Sequence, residues 1–338
     1  MKRNLRTFPL LILLVVCFSG FAQVTPVNYP SSFSVAQDGS GDFKTIQEAI
    51  NAVRDLSQQQ VSIFIKPGIY HEKLVIPSWK QHISLIGVDK ENTIITNADY
   101  SGKNYPGGKD LYGKDKFSTY TSYTLLISGS DCTVENLTIS NTSGRVGQAV
   151  ALHVEGDRTA VFNCSLLGNQ DTLYAATESS RQYYKKCYIE GTTDFIFGQA
   201  TAFFEDCTIK SLQNSYITAA ATSKQQTYGF VFLHCSLIAD AGTTKVFLGR
   251  PWRPYAKTVF IQTNMDKHIR AEGWDNWRNV ENEKTTFYAE AENTGIGAEV
   301  SKRVAWTKQL NAKMLRKYTI ENVLSGSDHW MPKATTTK

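Results

Sequence analysis

Five cysteines stand in nearly the same local context: "DCTVEN", "NCSLLG", "KCYIEG", "DCTIKS" and "HCSLIA". Each is a polar residue, then cysteine, then Thr, Ser or Tyr, then an aliphatic residue. They fall at 132, 164, 187, 207 and 235, with steps of 32, 23, 20 and 28 residues. Free cysteine behaves as a small buried hydrophobe. One that recurs at such intervals predicts successive coils of a repeat fold, each burying its face on the next. A disulfide or metal site is the sharper alternative. Five cysteines cannot all pair within one chain, and no CxxC or paired-His spacing accompanies them.

The runs between the cysteines support coils. "VSIFIKPGIY", "ISLIGV", "TIITN", "CTVENLTIS", "TAVFNCSLLG", "TAFFEDCTIK" and "KTVFIQT" are short β-type segments separated by Gly, Asn and Asp. Helical patterns do not alternate with them, which disfavours a doubly wound sheet. A sandwich or barrel would accommodate many short strands but not the recurring cysteine. The expectation is an all-β, single-stranded parallel β-helix. One helix is predicted at its N-terminal end, in "SGDFKTIQEAINAV". There Ile46, Ala49, Ile50 and Val53 recur at helical spacing, Thr45 can cap, and Glu48 follows three later. No Pro/Ser-rich linker divides residues 31–335, so one domain over 23–338 is expected. The Gly-, Lys- and Tyr-rich stretch 99–120 is expected to project as a loop.

The first residues read "MKRNLRTFPLLILLVVCFSGFAQ". Lys2, Arg3 and Arg6 precede an apolar run too short to span a bilayer, and Gly20 and Ala22 suit a cleavage site. This pattern predicts a signal peptide over 1–22 and a secreted or periplasmic protein beginning near Gln23. A lipoprotein anchored through Cys17 is the alternative, against which Val16 stands where a small residue is expected. Three of the 36 Lys/Arg lie in this segment and none of the 31 acids does, so the net charge falls from +5 to +2 without it. The basic balance is therefore partly a targeting signal. No basic tract with interleaved aromatics suggests nucleic acid.

A carboxylate in the apolar run "GTTDFIFG" marks the candidate site. Gln148 to Asp171 is 23 residues, and so is Asp171 to Asp194. With one coil of that length, the three side chains occupy consecutive rungs, about 4.8 Å apart. Two close carboxylates cannot both ionise cheaply, so their pKa values split. One becomes a standing anion and the other can hold a proton, the division needed for nucleophile and general acid. Asp residues also cap or ladder β-helix turns without catalytic purpose. The repeated spacing and the adjacent Gln170 weigh against that. Gln170 and Asp171 would face opposite ways in a flat strand, so the backbone must bend there for both to serve one site.

"QAVAL" (148–152), "GNQDTLYA" (168–175), "GTTDFIFG" (191–198) and "LGRPW" (248–252) together resemble the motifs of pectin methylesterases. "VAQDGSGDFKTIQEAI", "PGIYHEKLVI" and "YAEAENTGIGAE" are similar to other blocks of that family. The resemblance implies a right-handed β-helix and cofactor-free, metal-free hydrolysis of methyl esters on homogalacturonan by a monomer with no membrane span. It implies Asp194 as nucleophile on the C6 carbonyl and Asp171 as acid, then base. Gln148 and Gln170 would donate to the oxyanion, and Arg250 would hold Asp194 ionised. Thr119, Thr193, Phe197 and Trp252 would contact substrate alongside Gln148 and Arg250. A carboxylate nucleophile does need such a partner and preset donors, and guanidinium grips it with two bonds where Lys does not. Arg250 as a surface salt bridge and Trp252 as ordinary packing are the plainer readings.

Competing nucleophiles are absent: there is no G-x-S-x-G elbow and no H-E-x-x-H. His153 follows "AVAL" and could touch substrate, although a lone His is more often structural. Two other classes stay open at this level. One is a calcium-dependent β-helix lyase of polygalacturonate, and the other is a non-catalytic carbohydrate-binding β-helix. A thioesterase-like relative is a weaker variant of the esterase.

Overall fold

The structure, a computed structural model, describes residues 29–110 and 112–335. The expected signal peptide and Cys17 lie outside the described residues. The chain winds through three parallel sheets of eleven, seven and eight strands. Each central coil contributes one strand to each sheet in turn, the end coils adding extra strands to the long sheet, so neighbours in a sheet come from successive coils. This is a parallel β-helix, right-handed as parallel crossover connections are. The three sheets are called here the long sheet, the site sheet (seven strands) and the cysteine sheet (eight strands).

The N-terminal end of the core is closed by the helix Ile46–Ala52, which has the expected capping box of Thr45 and Glu48. Ile46, Ala49 and Ile50 are fully buried against the first coils, among Val35, Ile63, Leu74 and Ile76. Inside, identical positions of successive coils stack. Tyr184, Phe204, Phe232 and Phe260 are register partners in the long sheet. Their rings lie 4.7, 4.5 and 4.4 Å apart and within 12° of parallel, each pair contributing about 0.5–1.5 kcal/mol beyond area burial. Two short helices, Ala312–Leu315 and Ile320–Leu324, follow the last strand. They carry Val323 and Leu324 onto the outer face of the long sheet, against Tyr183, Phe203 and Val231.

Four of the five cysteines form a ladder. Each immediately precedes a strand of the cysteine sheet, and the next coil donates to its carbonyl: Tyr188 N to Cys164 O, Thr208 N to Cys187 O, Ser236 N to Cys207 O. The thiols sit between coils. Cys187 donates to the carbonyls of Val161 and Lys185, both at 3.5 Å. Cys132 does not belong to the ladder. It precedes a strand of the long sheet, Thr133–Glu135, and Leu137 holds the ladder position in that coil, accepting from Ser165 N. The step of 32 from Cys132 to Cys164 is therefore not a coil length. Thr138 pairs with Ser165, a step of 27. All five are free and buried.

Candidate active site

The outer face of the site sheet forms the floor of a cleft. Leu126, His153, Tyr174, Phe197 and Ala219 follow one another across consecutive strands at one register position. Tyr174 and Phe197 stack with centroids 4.5 Å apart and 7° between planes. Ala219, the small member of this row, leaves the floor open beside Phe197. The cleft encloses about 470 Å³.

The two carboxylates enter the cleft from the segments that lead into Leu173–Ala175 and Ile196–Gly198. Asp171 N donates to Thr193 O at 3.1 Å, and Asp194 N donates to Tyr216 O at 2.9 Å. Leu173 pairs with Ile196, so the coil there is 23 residues and Asp171 and Asp194 are equivalent on adjacent rungs. Both have left-handed backbones, with φ of 67° and 49°. That region is uncommon for side chains other than Gly but is entered most readily by Asn and Asp. The left-handed residue supplies the bend that lets Gln170 and Asp171 both line the cleft.

Gln148 is displaced by one residue from the expected column. Its bridge partner is Gln170, a step of 22, while Leu152 pairs with Leu173, a step of 21. Ala151 N and Leu152 N both donate to Thr172 O, at 2.8 and 3.2 Å. This is the local crowding of a bulge. The result is two stacked amides, Gln148 and Gln170, beside two stacked carboxylates.

Arg250 follows the strand Phe247–Gly249. Its Nε and Nη2 donate to the two oxygens of Asp194 at 2.9 and 2.6 Å. The guanidinium is held between two rings, 3.9 Å from the Tyr216 centroid and 3.7 Å from that of Trp277. The fork is thus fixed on both faces and along one edge.

Burial, and after it the charge of Asp194, push the Asp171 carboxyl up to about 8, with Arg250 pulling the other way. Burial also raises Asp194 above its ordinary value, and the two Arg250 hydrogen bonds pull it back without fully offsetting burial. The expected splitting is present, with Asp171 the proton holder. Arg250 favours the Asp194 anion, but loss of water outweighs one guanidinium and the group stays above its ordinary value.

The cleft brings together Thr119, Gln148, Gln170, Asp171, Asp194, Phe197, Arg250 and Trp252. Thr193 is not among its lining residues. Its hydroxyl pairs with that of Ser215 at 2.8 Å, so its contribution is to hold the turn before Asp194. His153 lies in the same row as Tyr174 but is buried and not among the cleft's lining residues, 4.5 Å from the Tyr174 ring and 3.3 Å from Glu155. Tyr120, Ala219, Arg253 and Trp277 also line the cleft and were not expected. Only for Arg253, beside Trp252, does the sequence offer a hint. Among the described residues no group of three or more His, Cys, Asp or Glu is placed to hold a metal ion.

One wall is the stretch 99–120. It runs out and back, with Tyr105 N donating to Asp115 O and Phe117 N to Lys103 O. Lys73 clamps its two ends, donating to Asp99 at 2.7 Å and to Thr121 O at 2.5 Å. Ser101 N donates to Gln148 O at 2.9 Å, which ties the loop base to the Gln148 backbone.

A pectinesterase family model matches residues 32–327. Pectinesterase 31 of Arabidopsis thaliana is 38% identical over 279 residues, covering 82% of this chain and 86% of that protein. A pectin methylesterase from carrot superimposes with a TM-score of 0.79 at 33% identity, covering 90% of this chain and 95% of that one. A pectin methylesterase solved in complex with a hexasaccharide gives 0.77 at 30% identity, covering 89% and 98%. Some relatives are longer: the chain spans 44% of the Arabidopsis thaliana protein named probable pectinesterase/pectinesterase inhibitor 21. With this fold, these motifs in order and this match over most of its length, the chain belongs to the pectinesterase family of carboxylic ester hydrolases.

Proposed function

We propose that this chain hydrolyses the C6 methyl esters of homogalacturonan, giving pectate and methanol. The observation that carries the reading is the pair of carboxylates one rung apart, only one of which is gripped by a guanidinium. Asp194 carries the charge and attacks the ester carbonyl carbon. The developing oxyanion is met by the amides of Gln148 and Gln170. As the tetrahedral intermediate collapses, the C–O bond to the methoxy group breaks and Asp171 gives that oxygen its proton. Methanol leaves and an acyl-enzyme anhydride remains on Asp194. Asp171, now ionised, takes a proton from water, which attacks the same carbon. Asp194 is released as carboxylate and Asp171 is protonated again, so each residue returns to its starting state.

Phe197, Trp252 and Thr119 would shape the sugar site, with Trp252 offering a ring face to a pyranose. Thr193 acts through the turn that presents Asp194. Asp171, Asp194 and Arg250 come from one chain, which supports action as a monomer. No helix among the described residues is long and apolar enough to cross a membrane. We further propose that residues 23–338 form one exported domain, on the strength of the N-terminal sequence pattern, and that its ligand is pectin and not nucleic acid.

The test is methanol release from methylated pectin by the wild type beside Asp194→Asn, both checked for folding by circular dichroism. Release by the wild type alone is expected. Near-equal release by a folded Asp194→Asn would return Asp194 to a structural rung.

A further inference from the structure

Two guanidinium groups line the cleft. Arg250 is committed to Asp194. Arg253, three residues on, makes no ion pair with any described residue. Its guanidinium lies over the Trp252 indole, 4.8 Å from the ring centroid, and Nη1 donates to Trp252 O at 3.2 Å. A guanidinium has five N–H donors, so most of this fork is free. Its mounting is stiff. Arg250 N donates to Thr218 O and Trp252 N to Ala220 O, both at 2.9 Å, and Pro251 and Pro254 fix φ on either side.

The charge of the cleft lining is uncompensated. Asp194 and Arg250 neutralise each other. Asp171, pushed up to about 8, is protonated near neutral pH. Arg253 therefore leaves the cleft with one net positive charge. A partly de-esterified uronate chain offers at each unit either a neutral ester or a carboxylate.

We propose that Arg253 is a specificity-determining residue that pairs with a free carboxylate on a sugar unit near the ester being hydrolysed. Esters beside de-esterified units then bind in preference to esters within fully methylated runs. The proposal rests on the methylesterase reading above. The stacked Trp252 holds the fork at the cleft until an anion arrives, and bidentate pairing with carboxylate suits that geometry.

The experiment compares initial rates of methanol release on two oligogalacturonates of equal length, one fully methylated and one partly de-esterified. Wild type, Arg253→Gln and Arg253→Lys are measured on both. In Arg253→Gln, KM for the partly de-esterified substrate should rise ~10-fold more than KM for the fully methylated one. Arg253→Lys should recover part of that difference. The wild type's advantage on the partly de-esterified substrate should shrink as salt is raised. An unchanged ratio of the two KM values in Arg253→Gln would overturn the proposal while leaving the methylesterase reading intact. Failure of the wild type to release methanol from either substrate would instead remove the reading on which it rests.

Discussion

Asp171 and Asp194 occupy the same position on adjacent rungs and share the same left-handed backbone twist, yet only Asp194 is gripped by Arg250. Equivalent residues in a repeat are thereby made chemically unequal by a third side chain two coils further on. The asymmetry assigns the anion to one and the proton to the other.

Removing each partner separates the roles. Asp194→Asn should abolish turnover, since an amide does not replace the carboxylate nucleophile. Asp171→Asn should keep binding and lose ~10²–10⁴ in rate, the usual worth of general acid–base catalysis. Arg250→Lys keeps the charge but loses the two-bond grip, so kcat should fall without unfolding. Methanol assays on the three variants, with circular dichroism spectra alongside, check this. Wild-type kcat in Arg250→Lys would show that the fork geometry is irrelevant.

The pH dependence has a definite sign. The proposed mechanism uses Asp171 in its protonated form, so kcat/KM should fall as pH rises through about 8. It should also fall on the acid side as Asp194 takes up a proton, at a pH above the ordinary carboxylate range because burial raises that group. Stability follows the same logic. Asp171 has a folded pKa above its unfolded one, so its contribution is complete below the unfolded value and is lost as pH rises through about 8. Denaturant melts of wild type and Asp171→Asn across this range should converge at low pH and separate at high pH, with the variant the more stable there.

The thiols should be silent until the fold opens. Burial raises Cys132 to about 12 and lifts Cys164, Cys187 and Cys207 well above the usual thiol range. A thiol reagent near neutral pH should therefore find almost none in the native protein. In denaturant without reductant it should find the five of residues 132–235. Two or fewer would require disulfides and contradict the ladder.

A glycine pair tests close coil packing. Gly198 and Gly242 both have positive φ, 127° and 89°. A Cβ on Gly198 would lie 2.0 Å from Ala175 O, whereas one on Gly242 meets nothing within 4 Å. Gly198→Ala should cost about 3 kcal/mol from the clash and Gly242→Ala much less, read as a difference in urea midpoint. Equal midpoints would mean the coils separate easily at Phe197.

Much of this was legible in the sequence because parallel coils repeat register. Cys164, Cys187, Cys207 and Cys235 were found from spacing, since each coil between them has the length that their separation gives. Cys132 was misplaced because "DCTV", which leads into a long-sheet strand, has the same polar–Cys–hydroxyl–aliphatic character as the turns that lead into the cysteine sheet. Gln148 was one residue out because a bulge near Ala151 shortens the register there, and a bulge has no local signature in "QAVAL". Tyr120 and Trp277 were not foreseen. They reach the cleft from a projecting loop and from a segment beyond the last site strand, where no periodicity ties residue number to position. The twin helices at 312–324 were missed for the same reason.

The rungs that make the site follow one another along the chain, from Gln148 through Asp171 and Asp194 to Arg250 and Trp277. A chain wound only as far as the strand Tyr216–Ala220 would hold both carboxylates and both amides with nothing to tell the acids apart. The guanidinium that pairs with Asp194 alone would be missing. In the proposed mechanism, the division of labour between the two acids therefore depends on the last strand of the site sheet, Phe247–Gly249, and the arginine that follows it.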